Sequence, residues 1–199
     1  MIIWNAIAKR LNRALTVVGA LLLLAISGGI TAEIVLRKTF NHSFGGMDEL
    51  SSYAFAILTS FALTVAALAR ANIRIDVLRN IAPTGARAAM DLVAQLAMIS
   101  FTGTLCWRAA LLVATSWDKD TRAITPLATP VAWPQTIWLV GLFLFLAVLI
   151  VMFALSLRAL FRGDQTSFNA LLGPVGELDE LDAHTQLADA SKPTTSREP

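Results

Sequence analysis

Four uncharged apolar stretches, each about as long as a bilayer is thick, constrain the fold of this chain more than any other feature. They cover residues 14–32, 50–69, 92–107 and 131–157, and the third extends to residue 115 if Arg108 is admitted. A transmembrane helix needs about 20 mostly apolar residues, and inside lipid only helices or closed barrels satisfy every backbone hydrogen bond. The stretches are continuously apolar rather than alternating, which is typical of helices and not of barrel strands. The sequence therefore predicts an all-α membrane protein with four transmembrane helices, over about residues 14–34, 50–70, 90–114 and 134–158.

The first stretch is preceded by Lys9, Arg10 and Arg13, as the apolar region of a secretory signal would be. The apolar region of a signal is about 7–15 residues long. This stretch is longer, has no clear A-x-A site after it and precedes three more apolar stretches. We therefore expect a retained first helix, with a cleaved leader as the alternative.

Lysine and arginine residues set the orientation of multispan proteins, because the connections that carry more of them stay in the cytoplasm. One side of the expected bundle collects nine of these residues: Lys9, Arg10, Arg13, Arg70, Arg74, Arg79, Arg87, Arg158 and Arg162. The other side collects five: Arg37, Lys38, Arg108, Lys119 and Arg122. Both termini are therefore expected on the cytoplasmic side, and the connections after the first and third helices on the outer side.

The two ends of the chain differ in composition from the part between them. The chain is 56% apolar and 15% charged, against about 25% charge in soluble domains. Residues 1–13 carry apolar side chains near helical spacing opposite basic ones, which predicts an amphipathic lead-in at the membrane interface. Residues 163–199 are acidic and end in SKPTTSREP, which predicts a mostly disordered cytoplasmic tail. The four-helix membrane domain then covers residues 14–162.

Residues that carry out catalysis or bind metals are scarce. The two histidines, His42 and His184, both lie outside the apolar stretches. A haem-binding four-helix protein would need histidine or methionine ligands within the helices, and the lack of histidine in every stretch argues against that class. No cluster of zinc ligands and no Gly-rich phosphate loop is visible. An intramembrane hydrolase would need a base beside a serine, and no stretch contains a histidine or lysine. Cys106, the only cysteine, is interpreted as a packing residue. We expect no enzymatic activity and no cofactor.

Charged residues inside a span are candidate transport sites, and this chain places its few near the span ends. Asp91 follows Arg87 by four residues, a spacing that permits an ion pair on a helix. Arg108 and Glu33 lie toward the expected outer ends. A carrier usually has charge or a broken helix at the membrane midplane. We therefore expect no transport site within this chain.

Two segments stand out on the expected outer side. In FGGMDEL, residues 44–50, Asp48 and Glu49 fall in the first turn of the second helix, where they either compensate the helix dipole or bind a neighbouring subunit. In TPLATPVAWP, residues 125–134, three prolines at intervals of four exclude a helix interior. We expect an extended approach to a fourth helix that begins near Pro134. Four tryptophans on this side form either an interfacial belt or a partner contact: Trp107, Trp117, Trp133 and Trp138.

The sequence ALARANIRIDVLRN, residues 67–80, follows the second helix on the expected cytoplasmic side. Arg70 and Arg74 share a helix face, and Asp76 can meet Arg79 three residues later. From composition alone this segment is a basic turn that helps to set the orientation.

Three motifs, in this order, resemble the small membrane subunit of TRAP (tripartite ATP-independent periplasmic) transporters. MDEL, residues 47–50, resembles the family's acidic pair at the start of the second helix. ANIRIDVL, residues 71–78, resembles its His-Ile-x-Val-Asp stretch, with Asn72 in the position of the histidine. Leu127-x-x-Pro130 and the later Gly141 resemble its Leu-x-x-Pro and following glycine. The similarity runs over about residues 14–157.

The resemblance implies a function that the residues alone do not. In this family a large multispan permease subunit carries substrate and sodium, and a periplasmic solute-binding receptor delivers the substrate. The small subunit scaffolds the large one and assists receptor docking. The implied process is sodium-coupled, ATP-independent import of organic acids, such as C4-dicarboxylates, keto acids or sialic acids, across the bacterial inner membrane. The candidate interface or docking residues are Asp48, Glu49, Arg70, Asn72, Arg74, Asp76, Leu127, Pro130 and Gly141.

A self-contained, homo-oligomeric small carrier or channel is the alternative function, and it would transport without a partner protein. If the chain instead packs on a large subunit, small residues would permit close helix approach. The candidates for that contact are Gly19, Gly28, Gly29, Ala54, Ala56, Ala62, Ala66 and Ala67.

Overall fold

Four long helices make up the computed structural model, which describes residues 2–41, 43, 45–69, 84–125, 127–163, 168 and 171. The helices are α1 (Ile2–Phe40), α2 (Met47–Leu68), α3 (Thr84–Asp118) and α4 (Ala132–Phe161). Each is long and apolar enough to cross a membrane, and the described residues contain no strand. The prediction of an all-α membrane protein with four transmembrane helices is confirmed.

Helix α1 is much longer than a membrane crossing requires. Its 39 residues extend about 58 Å, whereas the hydrocarbon core of a bilayer is about 30 Å thick. The expected lead-in is the beginning of this helix and continues into the first span without a break. Trp4 and Leu11 pack against the protein core, while Lys9 and Arg10 are exposed. The apolar side of the lead-in therefore contacts the rest of the chain.

The helices follow the order α1, α2, α4, α3 across the molecule. Helix α2 packs on α1 and α4, and α4 packs on α2 and α3. Helices α1 and α3 are therefore edge helices, each with one principal helix neighbour. Large apolar side chains remain exposed along α1, among them Val18, Leu21 and Leu24. In a membrane this surface is covered by hydrocarbon or by another protein.

The core is centred on α4, which has the most apolar membrane-spanning segment of the four. Leu142, Phe145, Leu149 and Met152 recur at intervals of three and four residues, so they share one helix face, and all are buried. Three of them, Phe145, Leu149 and Met152, cluster with Ala67 near the end of α2. Helices α2 and α4 thus form the centre of the packed structure.

The close approach of these two central helices depends on Gly141 of α4. A Cβ atom at this position would overlap the Ser60 side chain of α2 and would lie 2.8 Å from its Cβ. Ser60 is itself only 1% exposed. A small residue at a helix crossing lets the two backbones approach closely. Gly141 therefore sets the distance between α2 and α4.

Two glycines of α1 lie at its contact with α2. A Cβ at Gly19 would lie 2.9 Å from Leu58 Cδ1, and one at Gly29 would overlap the Met47 side chain. A Cβ at Gly28 would meet nothing within 4 Å. Among the small residues of α2, two alanines are buried inside the molecule: Ala54 and Ala67. Of the three glycines of α1, Gly19 and Gly29 therefore lie against α2, whereas Gly28 borders open space.

The connection between α3 and α4 is a short hairpin and not the extended approach expected from its prolines. The N–H of Ala123 donates to the Thr129 carbonyl at 3.1 Å, and the N–H of Val131 donates to the Thr121 carbonyl at 3.1 Å. Backbone groups of residues 121–123 therefore pair with those of residues 129–131, and the loop turns back on itself between them. Helix α4 begins at Ala132, so Pro134 lies in its first turn, where no helical N–H partner is required.

The beginning of the acidic tail contributes two side chains to the core. Phe168 and Leu171 are buried and cluster with Ala159 of α4. Trp4 of α1 and Leu92 of α3 pack against the same cluster. Three helices therefore meet at this end of the molecule. The rest of the expected tail after Gly163 lies outside the described residues.

Candidate functional site at the start of the second helix

A buried carboxylate lies in the first turn of α2, at the end of the molecule expected to face outward. Glu49, the third residue of this helix, is only 5% exposed, whereas the preceding Asp48 is exposed. The two acids predicted as a pair therefore have different surroundings. Asp48 is open to contact from outside the chain, and Glu49 is directed into the protein.

Three donors hold the Glu49 carboxylate. Tyr53 Oη, one turn along α2, donates a hydrogen bond to Oε1 at 2.8 Å. The backbone N–H of Thr129 donates to Oε1 at 3.2 Å, and Thr125 Oγ1 donates to Oε2. Hydrogen bonds to an ionised acceptor are stronger than neutral ones. The carboxylate therefore fastens the first turn of α2 to the connection between α3 and α4.

The fold of this connection presents both threonines to Glu49. The N–H of Ala128 donates to the Thr125 carbonyl at 3.0 Å, which closes a turn between them. Arg122 and Pro130 form an antiparallel bridge that closes the base of the loop. The same local bonds that shape the loop thus put two donors within reach of one carboxylate.

A second contact joins the same two elements. Leu127 packs over Gly46, the residue before α2, and a Cβ on Gly46 would lie 2.7 Å from Leu127 Cδ1. Glycine at this position therefore permits the close seating of Leu127. Two motifs singled out in the sequence, the acidic pair and Leu127-x-x-Pro130, meet here. We call this set the Glu49 junction: Gly46, Glu49, Tyr53, Thr125, Leu127 and Thr129.

Glu33 is a second buried carboxylate at the same end, in the last turns of α1. It is 6% exposed and accepts a hydrogen bond from Ser43 Oγ, which lies in the connection to α2. Arg37 Nη2 lies 3.3 Å from the same Glu33 oxygen, Oε1. These contacts fasten the α1–α2 connection to α1. Glu33 therefore binds the α1–α2 connection to α1, as Glu49 binds the α3–α4 connection to α2.

Exposed apolar side chains occur at the same end. Trp117 and Trp133 contact edge to face with ring centroids 5.2 Å apart, and Trp117 Nε1 donates to Thr136 Oγ1 at 3.1 Å. Ile124 is fully exposed and Leu127 is about half exposed. A membrane interface or a partner protein would cover such side chains.

The candidate residues from the sequence fall into three places. Asp48, Glu49, Leu127 and Pro130 lie at or beside the Glu49 junction. Gly141 lies about 14 Å along α4 from the first residue of that helix, Ala132, at the crossing with Ser60. The four candidates from the basic turn lie outside the described residues: Arg70, Asn72, Arg74 and Asp76.

Three residues of the junction were not singled out in the sequence. Tyr53 follows Glu49 by four residues, and a search for side-chain pairs at helical spacing would have found it. Thr125 and Thr129 lie 76 and 80 residues after Glu49. No local spacing indicates contacts over such distances. Gln95 was also missed, although it interrupts an apolar stretch; its Nε2 donates to the Leu149 carbonyl at 3.2 Å.

The hydrogen bonds of the junction have a structural role. Neutral hydroxyl and amide donors from two elements engage the Glu49 oxygens. Within the part of the chain that the structure describes, no group of three or more His, Cys, Asp or Glu residues could hold a metal ion. The arrangement can hold a helix and a loop in a fixed relation, with Asp48 exposed beside them.

One comparison with known proteins gives a match that covers most of the chain. A family model described as "Tripartite ATP-independent periplasmic transporters, DctQ component" matches residues 26–159. This range begins within α1 and ends within α4, so it contains the whole Glu49 junction. No curated protein and no solved structure matches the chain.

Proposed function

The chain belongs to the DctQ component family of tripartite ATP-independent periplasmic transporters, and we propose that it scaffolds the large permease subunit and assists docking of the periplasmic receptor. As a member of this family it is a small membrane subunit of such a transporter. The proposed process is sodium-coupled, ATP-independent import of organic acids across the bacterial inner membrane. C4-dicarboxylates, keto acids and sialic acids are the proposed substrate classes, with substrate and sodium bound by the large subunit.

The Glu49 junction is the observation that carries the docking part of this proposal. It ties the start of α2 to the α3–α4 connection through a buried carboxylate and through the contact of Leu127 with Gly46. A surface held in one arrangement before binding loses less conformational entropy when a partner binds. Asp48, Ile124 and the exposed part of Leu127 are available on this surface for a soluble receptor.

The order of the helices supports the scaffold part. Each edge helix has one principal helix neighbour, and its opposite side carries exposed apolar residues. On α3 these include Val93 and Phe101, which are 66% and 69% exposed. A larger membrane protein can cover such a side without displacing a helix of this chain.

Co-purification tests the proposed partnership. A tagged chain expressed together with its neighbouring genes should bring down a larger multispan protein. A chain that is isolated without any such protein under mild detergent conditions would contradict the scaffold role.

Uptake measurements in cells test the role of the junction. Glu49→Gln keeps the side-chain size but replaces one acceptor oxygen by an NH₂ group, which cannot accept from Thr125, Tyr53 or Thr129. We expect several-fold slower uptake of a labelled organic acid at equal amounts of membrane-inserted subunit. Asp118→Asn makes the same chemical change at an exposed acid of the same end and should leave uptake unchanged. Equal uptake by both variants would contradict the docking role.

Liposomes that contain only the purified chain distinguish the proposal from the self-contained carrier or channel. The scaffold role predicts no organic-acid flux until the large subunit and receptor are added. Flux through the chain alone would favour the alternative.

A further inference from the structure

An open groove lies along α1 at the end of the molecule opposite the Glu49 junction. Its volume is about 440 Å³, and its described lining consists of Lys9, Arg10, Arg13, Ala14, Val17 and Val18. Three of these side chains are cationic and three are apolar. The groove is outside every site described above.

The lining residues form one stripe with a charge gradient along the helix axis. Arg13 follows Lys9 by four residues, and Val17 follows Arg13 by four, so all three lie on one helix face. The cations occupy the end nearer the N-terminus, and the apolar residues begin directly after them. The stripe continues with exposed Leu21 and Leu24. It therefore changes from basic to apolar within about two turns, or roughly 11 Å.

The side of α1 opposite the groove packs against the rest of the chain. Trp4 and Leu11 pack against the protein core, which turns the basic side of α1 away from the chain. Lys9, Arg10 and Arg13 are exposed, and among the described residues none of the three forms an ion pair. Their charges are thus available to an anion from outside.

We propose that this groove binds an anionic glycerophospholipid of the cytoplasmic leaflet. Its phosphate lies against Lys9, Arg10 and Arg13, and an acyl chain follows Val17, Val18 and Leu21 toward the bilayer centre. Juxtamembrane lysines and arginines attract anionic lipids. A free phosphate ion would use the basic half alone, and an acidic peptide would have to enter the hydrocarbon to use the apolar half. The lipid matches both halves, and its binding does not depend on the proposed transport function.

The full-length chain in detergent, titrated with phosphatidylglycerol or phosphatidylcholine and observed by native mass spectrometry, tests this assignment. We expect the wild-type chain to prefer phosphatidylglycerol. Arg13→Gln should reduce that preference about five-fold, as expected for one charge near a lipid surface. The triple variant K9Q/R10Q/R13Q should abolish it.

Two matched controls separate a specific groove from general basicity. K9R/R10K/R13K keeps all three charges and should retain the preference. R158Q/R162Q removes two exposed cations from the expected cytoplasmic side outside the groove and should also retain it. An equal loss of preference in R158Q/R162Q and K9Q/R10Q/R13Q would overturn the proposal.

Further measurements on the wild-type chain keep the proposal testable if the triple variant does not fold. Added salt should reduce the phosphatidylglycerol preference, because screening weakens exposed charge pairs. Inorganic phosphate at equal concentration should not displace the lipid, since it gains nothing from Val17 and Val18. Displacement by phosphate would identify a simple anion site, and equal binding of the two lipids would overturn the proposal.

Discussion

Thr125 Oγ1, in the connection between α3 and α4, donates a hydrogen bond to the carboxylate of Glu49, 76 residues earlier in the first turn of α2. The bond joins the beginning of one central helix to the loop that precedes the other. The backbone N–H of Thr129 reinforces it on the other carboxylate oxygen at 3.2 Å. The relative positions of α2 and α4 at this end therefore depend on one buried side chain.

Glu49→Gln should lower the thermal stability of the purified chain. The amide retains one acceptor oxygen for three donors, so at least one donor at the junction loses its partner. We expect a Tm about 2–4 °C lower in detergent, measured by circular dichroism. Asp118→Asn should leave the Tm unchanged within about 1 °C. A Glu49→Gln chain as stable as the wild type would show that the buried carboxylate contributes little to stability.

Gly141→Ala should destabilise the packing of the two central helices. The new Cβ overlaps Ser60, and overpacking of a closely packed contact costs about 1–3 kcal/mol. Denaturant unfolding in mixed micelles measures this cost. Gly103→Ala is the matched control on α3, because a Cβ there meets nothing within 4 Å, and it should be neutral or stabilising. The double variant Gly141→Ala/Ser60→Gly should recover most of the loss, and no recovery would contradict the assigned clash.

Gln95→Leu should have a small effect on stability despite removing a buried hydrogen bond. The amide donates to the Leu149 carbonyl at 3.2 Å and joins α3 to α4. Side-chain hydrogen bonds between membrane helices contribute only about 0.6 kcal/mol on average. We expect a loss of at most about 1 kcal/mol in the same unfolding assay. A much larger loss would indicate that Gln95 supports more than this one contact.

Cysteine labelling should establish the orientation of the chain. The native Cys106 is 1% exposed, so a Cys106→Ala background is suitable for single introduced cysteines. Asn41→Cys and Thr121→Cys, in the exposed connections after α1 and α3, should react with a membrane-impermeant maleimide in intact cells. Arg162→Cys, after α4, should react only after permeabilisation. The reverse pattern would contradict the orientation inferred from lysine and arginine.

The sequence predicts the helices well because the thickness of a bilayer fixes their minimum length. It does not predict where they end. Helix α1 begins at Ile2, twelve residues before the apolar stretch that starts at residue 14. Side chains of this additional helical segment pack against the protein core, which stabilises it as helix. These side chains are Trp4 and Leu11, and the composition of the segment does not reveal that they contact the core.

The Glu49 junction is likewise predictable only in part: its local features are visible in the sequence, and its long-range contacts are not. The acidic pair and Leu127 are visible as motifs, and the helical spacing from Glu49 to Tyr53 is local. The bonds from Thr125 and Thr129 depend on the α3–α4 connection turning back on itself. Loop pairing of this kind follows from tertiary contacts, so neither threonine has a signature in the sequence.

The order α1, α2, α4, α3 has a consequence for assembly. A strip of helices has two separate margins, and here they belong to different helices. A neighbour that covers the exposed residues of α1, such as Leu21 and Leu24, leaves exposed residues of α3, such as Val93 and Phe101, uncovered. A neighbour that binds to the outer face of α1 or of α3 also does not need to separate the contact between Gly141 and Ser60. The folded chain can therefore contact a membrane neighbour while α2 and α4 stay packed together.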